Sequence, residues 1–132
     1  MSQEFYWLTL TTLVTGLFWM PYVLNRFAEI GIFTAILSAD GAPQAEATWA
    51  QRMTKAHKNA VENLIIFAPL VLIIHMTGLN NALTASATMI YFFARLAHFI
   101  VYTLGIPAAR TLAFLTGFAC QMVLALTCLG MI

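Results

Sequence analysis

The chain has 132 residues, 61% of them hydrophobic and only 8% charged, with a formal net charge of +1. A water-soluble domain carries about 25% charged residues, so a solvated surface cannot be assembled from this composition, and no nucleic-acid partner is expected. The apolar residues run instead in blocks long enough to cross a bilayer, for which a helix needs roughly 20.

The first block, Phe5 to Leu24, contains no charge. It is preceded by the acidic Met-Ser-Gln-Glu, which argues for a retained helix and against a secretory signal. Trp7 and Tyr22 stand about 22 Å apart along a helix, a separation suited to anchoring at both membrane interfaces. A long polar connection follows, from Asn25 to about Ala56. Asp40-Gly41-Ala42-Pro43 marks a turn within it, and Ala45 to Ala56 reads as helix running on into the second block, about Ala60 to Leu79.

Gly78-Leu79-Asn80-Asn81 then forms a tight hairpin, with Gly78 as the C-cap. The third block, Leu83 to Leu104, carries Arg95 and His98. Gly105-Ile106-Pro107 separates it from the fourth, Thr111 to Ile132, which is uncharged throughout. Continuous blocks favour helices over barrel strands, which need only about ten residues, and an open sheet would leave backbone groups unpaired in lipid. The expected fold is an all-α integral membrane protein, a four-transmembrane-helix bundle in one domain over residues 1–132.

Arg26, Arg52, Lys55 and Lys58 lie in the first connection and Arg110 in the third, while the N-terminus, second connection and C-terminus have no Lys or Arg. The positive-inside rule therefore assigns the first and third connections to the cytoplasm and both termini to the opposite side. Cys120 and Cys128 share the fourth block, separated by about 12 Å of helical rise, and are expected to be unpaired thiols.

Ionisable groups inside membrane spans are costly and by default mark a functional or pairing site. One run is Arg52-Met-Thr-Lys55-Ala-His57-Lys58-Asn59-Ala-Val-Glu62-Asn63. Arg52, Lys55, Asn59 and Glu62 follow helical spacings of one stripe, with cations suited to carboxylates and Glu62 to an ammonium. The other is Arg95-Leu-Ala-His98-Phe-Ile-Val-Tyr102, followed by Arg110-Thr111. Arg95 lies about 14 Å deeper than Leu104, where an unpaired guanidinium costs several kcal/mol. An Arg95–Glu62 ion pair is thus the natural expectation, with a structural role for Arg95 ahead of direct ligand contact. Arg52 and Lys55 could equally be topology determinants. His75 falls at the opposite face of the membrane and is left out of the site. No metal is expected, because His57, His98 and Glu62 lack a ligand motif.

The run Arg52-x-x-Lys55-Ala-His57-Lys58-Asn59-x-x-Glu62 resembles a signature of the MAPEG family, the membrane-associated proteins in eicosanoid and glutathione metabolism. Ala94-Arg95-x-x-His98-x-x-x-Tyr102-x-x-Gly105 with Pro107-x-x-Arg110 resembles its second signature. Lys58 stands where an arginine is common, and lysine lacks its bidentate fork. The resemblance implies a homotrimer binding glutathione as co-substrate between subunits near the cytoplasmic face. Arg52, Lys58, Asn59 and Glu62 would bind it together with His98, Tyr102 and Thr111. Arg110 matches the arginine facing the thiol, and Arg26 a basic residue ending the first helix. Both are candidate catalytic residues.

The function so implied is a glutathione-dependent transferase or peroxidase, leaning towards microsomal glutathione transferase-like chemistry on a lipophilic substrate. It would sit among membrane lipids, in a bacterial inner membrane or an internal eukaryotic one. The alternative is a non-catalytic module of the same fold that binds another small ligand or a partner protein. A four-helix transporter is disfavoured because it would need a carboxylate in the first block, which has none.

Overall fold

A computed structural model describes residues 1–41 and 44–132 of the chain. Six helices account for most of them: α1 (Gln3–Leu17), α2 (Trp19–Ile30), α3 (Ile32–Leu37), α4 (Thr48–Met76), α5 (Ala82–Leu104) and α6 (Pro107–Cys128). With α1 and α2 taken as one span, four helical segments are long and apolar enough to cross a membrane.

The first span is broken at Phe18. Pro21 lacks an N–H, and its ring crowds the carbonyl four residues back, that of Leu17. The chain tightens there, and Phe18 N–H donates to Thr15 O at 3.4 Å. The helix nevertheless continues to Ile30, beyond the expected Leu24, and it begins two residues before Phe5. Glu4 therefore belongs to the first helix, where it is buried and accepts a hydrogen bond from the Thr84 hydroxyl. The first span is thus not free of carboxylates, and that ground for setting a transporter aside is removed.

The first connection contains α3, a helix not anticipated from sequence, whose Ile32, Phe33, Ile36 and Leu37 are all exposed. Ser38 to Gly41 forms a turn closed by Gly41 N–H to Ser38 O (3.3 Å) and the Ser38 hydroxyl to Gly41 O (2.6 Å). The Ala42-Pro43 part of the expected turn lies outside the described residues. Helix α4 starts at Thr48, three residues after the expected Ala45, and runs unbroken through Pro69. Membrane helices tolerate such a proline where packing re-satisfies the backbone.

Both tight connections are Schellman motifs. After α4, Gly78 N–H donates to His75 O and Leu79 N–H to Ile74 O; after α5, Gly105 N–H donates to Tyr102 O and Ile106 N–H to Val101 O. Asn81 and Thr84 then form a reciprocal capping box at the start of α5. Pro107 is the first residue of α6, which begins four residues before the expected Thr111 and ends at Cys128.

Helix α5 is the central element, with 39% of its most apolar stretch buried against 17% for the first span. Its partners α4 and α6 meet it through Phe67, Val71, Ile74, Ala87, Tyr91, Cys120 and Leu124, with Phe67 stacked on Tyr91 at 3.7 Å. A second cluster joins Phe18, Ala56, Ala60 and Phe99, where the small Ala56 and Ala60 admit the stacked Phe18–Phe99 pair (3.6 Å). Small residues take this role in membrane bundles because lipid leaves no hydrophobic drive between helices and close packing must hold them. Hydroxyls are satisfied locally: those of Thr11, Thr15, Thr54, Thr103 and Thr127 each donate to the carbonyl four residues back. Cys120 and Cys128 are free thiols.

Candidate functional site

The basic end of the bundle is built where α5 turns into α6. Arg52, projecting from the first turns of α4, donates from Nε to Thr103 O at 2.9 Å, and its guanidinium packs over Gly105. It thereby serves an orphan carbonyl at the α5 C-terminus, the end favoured by cations. Its neighbours in a cleft of ≈ 240 Å³ are Tyr102, Gly105, Ile106, Pro107 and Arg110. Arg110 lies over the Tyr102 ring, with Cζ 4.8 Å from the centroid. The His98 ring meets Tyr102 edge-on at 5.6 Å.

A contiguous cleft of ≈ 180 Å³ is lined by Asn59, His98, Tyr102, Arg110, Thr111 and Phe114. Asn59, His98, Tyr102, Arg110 and Thr111, singled out from sequence on three separate helices, thus share one wall. Phe114 joins them one turn beyond Arg110 and was not among the expected residues; nothing distinguishes it in sequence from the other phenylalanines of the spans.

Lys58 and Glu62 are elsewhere. They line a separate cleft with Tyr22, Thr54, His57 and Val61, in which the Tyr22 hydroxyl and His57 Nδ1 share a 2.7 Å hydrogen bond. Arg26 and Lys55 line a third cavity, between α2, α3 and α4. Arg26 is buried and paired with Glu29 at 3.3 Å, the only ion pair among the described residues. The Glu29 carboxylate also accepts from Asn25 Nδ2 and from the Glu46 backbone N–H, tying the first connection to the end of α2.

The expected Arg95–Glu62 pair is therefore not formed. Arg95 Nη2 donates instead to Asn59 Oδ1 at 2.6 Å, while Glu62 is exposed. The physical reason is helical drift. Ten residues of α-helix turn about 80° short of three full turns, so Arg52 and Glu62 do not share a face. The apparent stripe divides into Arg52 with Asn59, which face α5, and Lys55 with Glu62, which face away from it.

Behind Asn59 the polar groups continue. Asn63 Nδ2 donates to Asn59 O (2.9 Å) and Oδ1 (3.2 Å), and Gln121 Nε2 donates to Asn63 O (3.2 Å). Gln121 is almost fully buried and was overlooked because the block from Thr111 to Ile132 carries no charge. An amide in an otherwise apolar span was the available signal. His75, at the other end of α4, stacks on Phe5 at 3.9 Å. Among the described residues no group of three His, Cys, Asp or Glu could hold a metal ion.

Four spanning helices with a cation-rich polar cleft at one end define a multi-pass integral membrane protein. The chain belongs to the MAPEG family, whose family model matches residues 5–130. It is accordingly a membrane protein of the glutathione and eicosanoid metabolism group. Comparison with curated proteins and with solved structures found no match.

Proposed function

We propose that this protein is a membrane-embedded glutathione-dependent transferase or peroxidase that acts on lipophilic electrophiles. The observation that carries the reading is the cleft in which Arg110, without a carboxylate partner among the described residues, sits beside Asn59, His98, Tyr102 and Thr111. Glutathione, the substrate in this reading, offers two carboxylates, an ammonium and a thiol. The Arg110 guanidinium favours the thiolate, the reactive form, over the neutral thiol. Asn59, Thr111 and Tyr102 supply hydrogen-bonding groups, and Arg52 adds positive charge beside them. The exposed apolar flanks of α5 and α6, including Leu104, Leu112 and Leu115, give a lipid-soluble electrophile a route to the thiolate from the bilayer. Positioning and electrostatics then carry most of the rate.

Lys58, Glu62 and Arg26 face other directions than Arg110, so one copy does not enclose a ligand with all of them. In this reading a neighbouring copy brings its Lys58 and Glu62 wall, with Arg26 from the adjoining cavity, against the Arg110 cleft in a homotrimer, with the basic ends cytoplasmic. The test is turnover of glutathione with a hydrophobic aryl halide by purified protein. Arg110→Ala is expected to lower the neutral-pH rate about 100-fold, the scale of losing one preorganised charge-stabilising donor. Without the guanidinium the thiol titrates nearer its ordinary value of about 8.5, so raising the pH should narrow the deficit. A rate equal to that of Arg110→Ala at every pH counts against the reading. The existing Arg26–Glu29 pair, which occupies one proposed catalytic cation, favours as a second reading a non-catalytic module. Such a module would show no turnover in this assay, and calorimetry with glutathione would then separate a silent binder from a protein with a different ligand.

A further inference from the structure

We infer that Arg95, Asn63 and Gln121 are positioning residues that lock the Asn59 amide in one polarity, so that the cleft presents N–H donors and selects a carboxylate. The inference rests on the reading of the cleft as a glutathione site and concerns how that site chooses among ligand groups.

The polarity of the Asn59 amide follows from which neighbouring atoms can only donate and which can only accept. An asparagine amide fits its cavity equally well either way round, and only its partners decide which end is oxygen. Arg95 has donors and no acceptor, and its Nη2 lies 2.6 Å from the Asn59 terminal atom. That atom must be Oδ1. The other flank is fixed in the same sense: the Asn59 backbone carbonyl only accepts, so the Asn63 group 2.9 Å from it is Nδ2, which also donates to Asn59 Oδ1 at 3.2 Å. Asn63 is held in turn by Gln121, whose Nε2 reaches the Asn63 carbonyl at 3.2 Å and Oδ1 at 3.4 Å. With its oxygen engaged by both Arg95 and Asn63, Asn59 has Nδ2 as the group left to offer the cleft that it lines with Arg110. Both groups are donors.

Charge points the same way. Arg95 is 4% exposed, its Nε and Nη1 have no partner, and no carboxylate pairs with it among the described residues. A buried, unbalanced cation a single amide away from the cleft favours an anion there and disfavours an ammonium.

The test is calorimetric titration of the purified protein with glutathione and, separately, with glutathione diethyl ester. The unaltered protein should prefer the free acid. Asn59→Asp keeps acceptors for Arg95 and Asn63 and gives Arg95 a counter-charge, so the melting temperature should hold or rise. Its affinity for glutathione should nevertheless fall about tenfold or more, the scale of one hydrogen bond to a charged group, with a smaller fall for the diester. Arg95→Met, which removes the obligate donor, should also lose preference for the free acid without unfolding the bundle, and Arg95→Lys should restore it. Glutathione binding that survives Asn59→Asp, or equal losses for acid and ester, overturns this inference alone. No glutathione binding by the unaltered protein overturns the reading of the site and this inference with it.

Discussion

Gly105 meets two demands at once. Its φ of +77° is a region that residues with a Cβ rarely adopt, and an added Cβ would lie 3.2 Å from Arg52 Cζ. Gly105→Ala should therefore destabilise the protein by about 1–2 kcal/mol through backbone strain alone, read as a lower melting temperature in detergent. It should also displace Arg52 from Thr103 O, lowering glutathione affinity in the same variant. At the opposite end, Glu4 owes its buried place to the Thr84 hydroxyl. Thr84→Val keeps the shape and removes the donor, so the carboxyl is left with one partner fewer at a cost of about 1–3 kcal/mol. Replacing both partners, with Glu4→Leu and Thr84→Val together, should recover the part of the loss due to the stranded carboxyl, leaving the cost of the broken capping box, in which Asn81 N–H donates to the Thr84 hydroxyl. A double-mutant cycle on melting temperature checks both steps.

At the level of elements, the break at Phe18 sets the direction of α2, and with it the contact between Tyr22 and His57 on α4. Pro21→Ala restores an N–H for the Leu17 carbonyl and allows one straight helix. The expected outcome is a change in the distance between spin labels placed near Thr9 and on α2, with little loss of stability. An unchanged distance would show that packing of Phe18 against Phe99, and not the proline, makes the bend. The polar face of α4 teaches a related lesson. Positions 52, 55, 59 and 62 each step by three or four, and every neighbouring pair does lie close on the helix surface. Steps of three fall about 60° short of a full turn and steps of four run about 40° past it, so Lys55 and Glu62 lie to one side of Arg52 and Asn59, away from α5.

For the whole molecule, the separation of the Asn59–Arg110 cleft from the Lys58–Glu62 wall makes assembly testable. If both walls meet only across subunits, Arg110→Ala and Glu62→Ala, each strongly impaired alone, should complement when co-expressed. Random mixing of copies would leave about a quarter of interfaces with both walls intact. Turnover of the mixed preparation at a substantial fraction of the unaltered rate is the expected result, and none above the single variants would place each site within one copy.

The four spans and their turns follow from the sequence alone, because lipid forces every backbone group into helical hydrogen bonds and hydropathy marks where that must happen. The gathering of Asn59, His98, Tyr102, Arg110 and Thr111 at the basic end was legible for a similar reason: helical spacing and the direction of each span set which residues share a depth. Which of them touch was a different matter. Arg95 meets Asn59 and not Glu62, Gln121 stands behind Asn63, and Glu4 is tucked under Thr84, since these depend on how each helix is rotated about its axis. Rotation is set by the packing of Phe18 on Phe99, of Phe67 on Tyr91, and of Gly117 against Arg95 and Tyr91. Hydropathy reports depth in the membrane and carries no record of azimuth, so only the tertiary structure could decide those contacts.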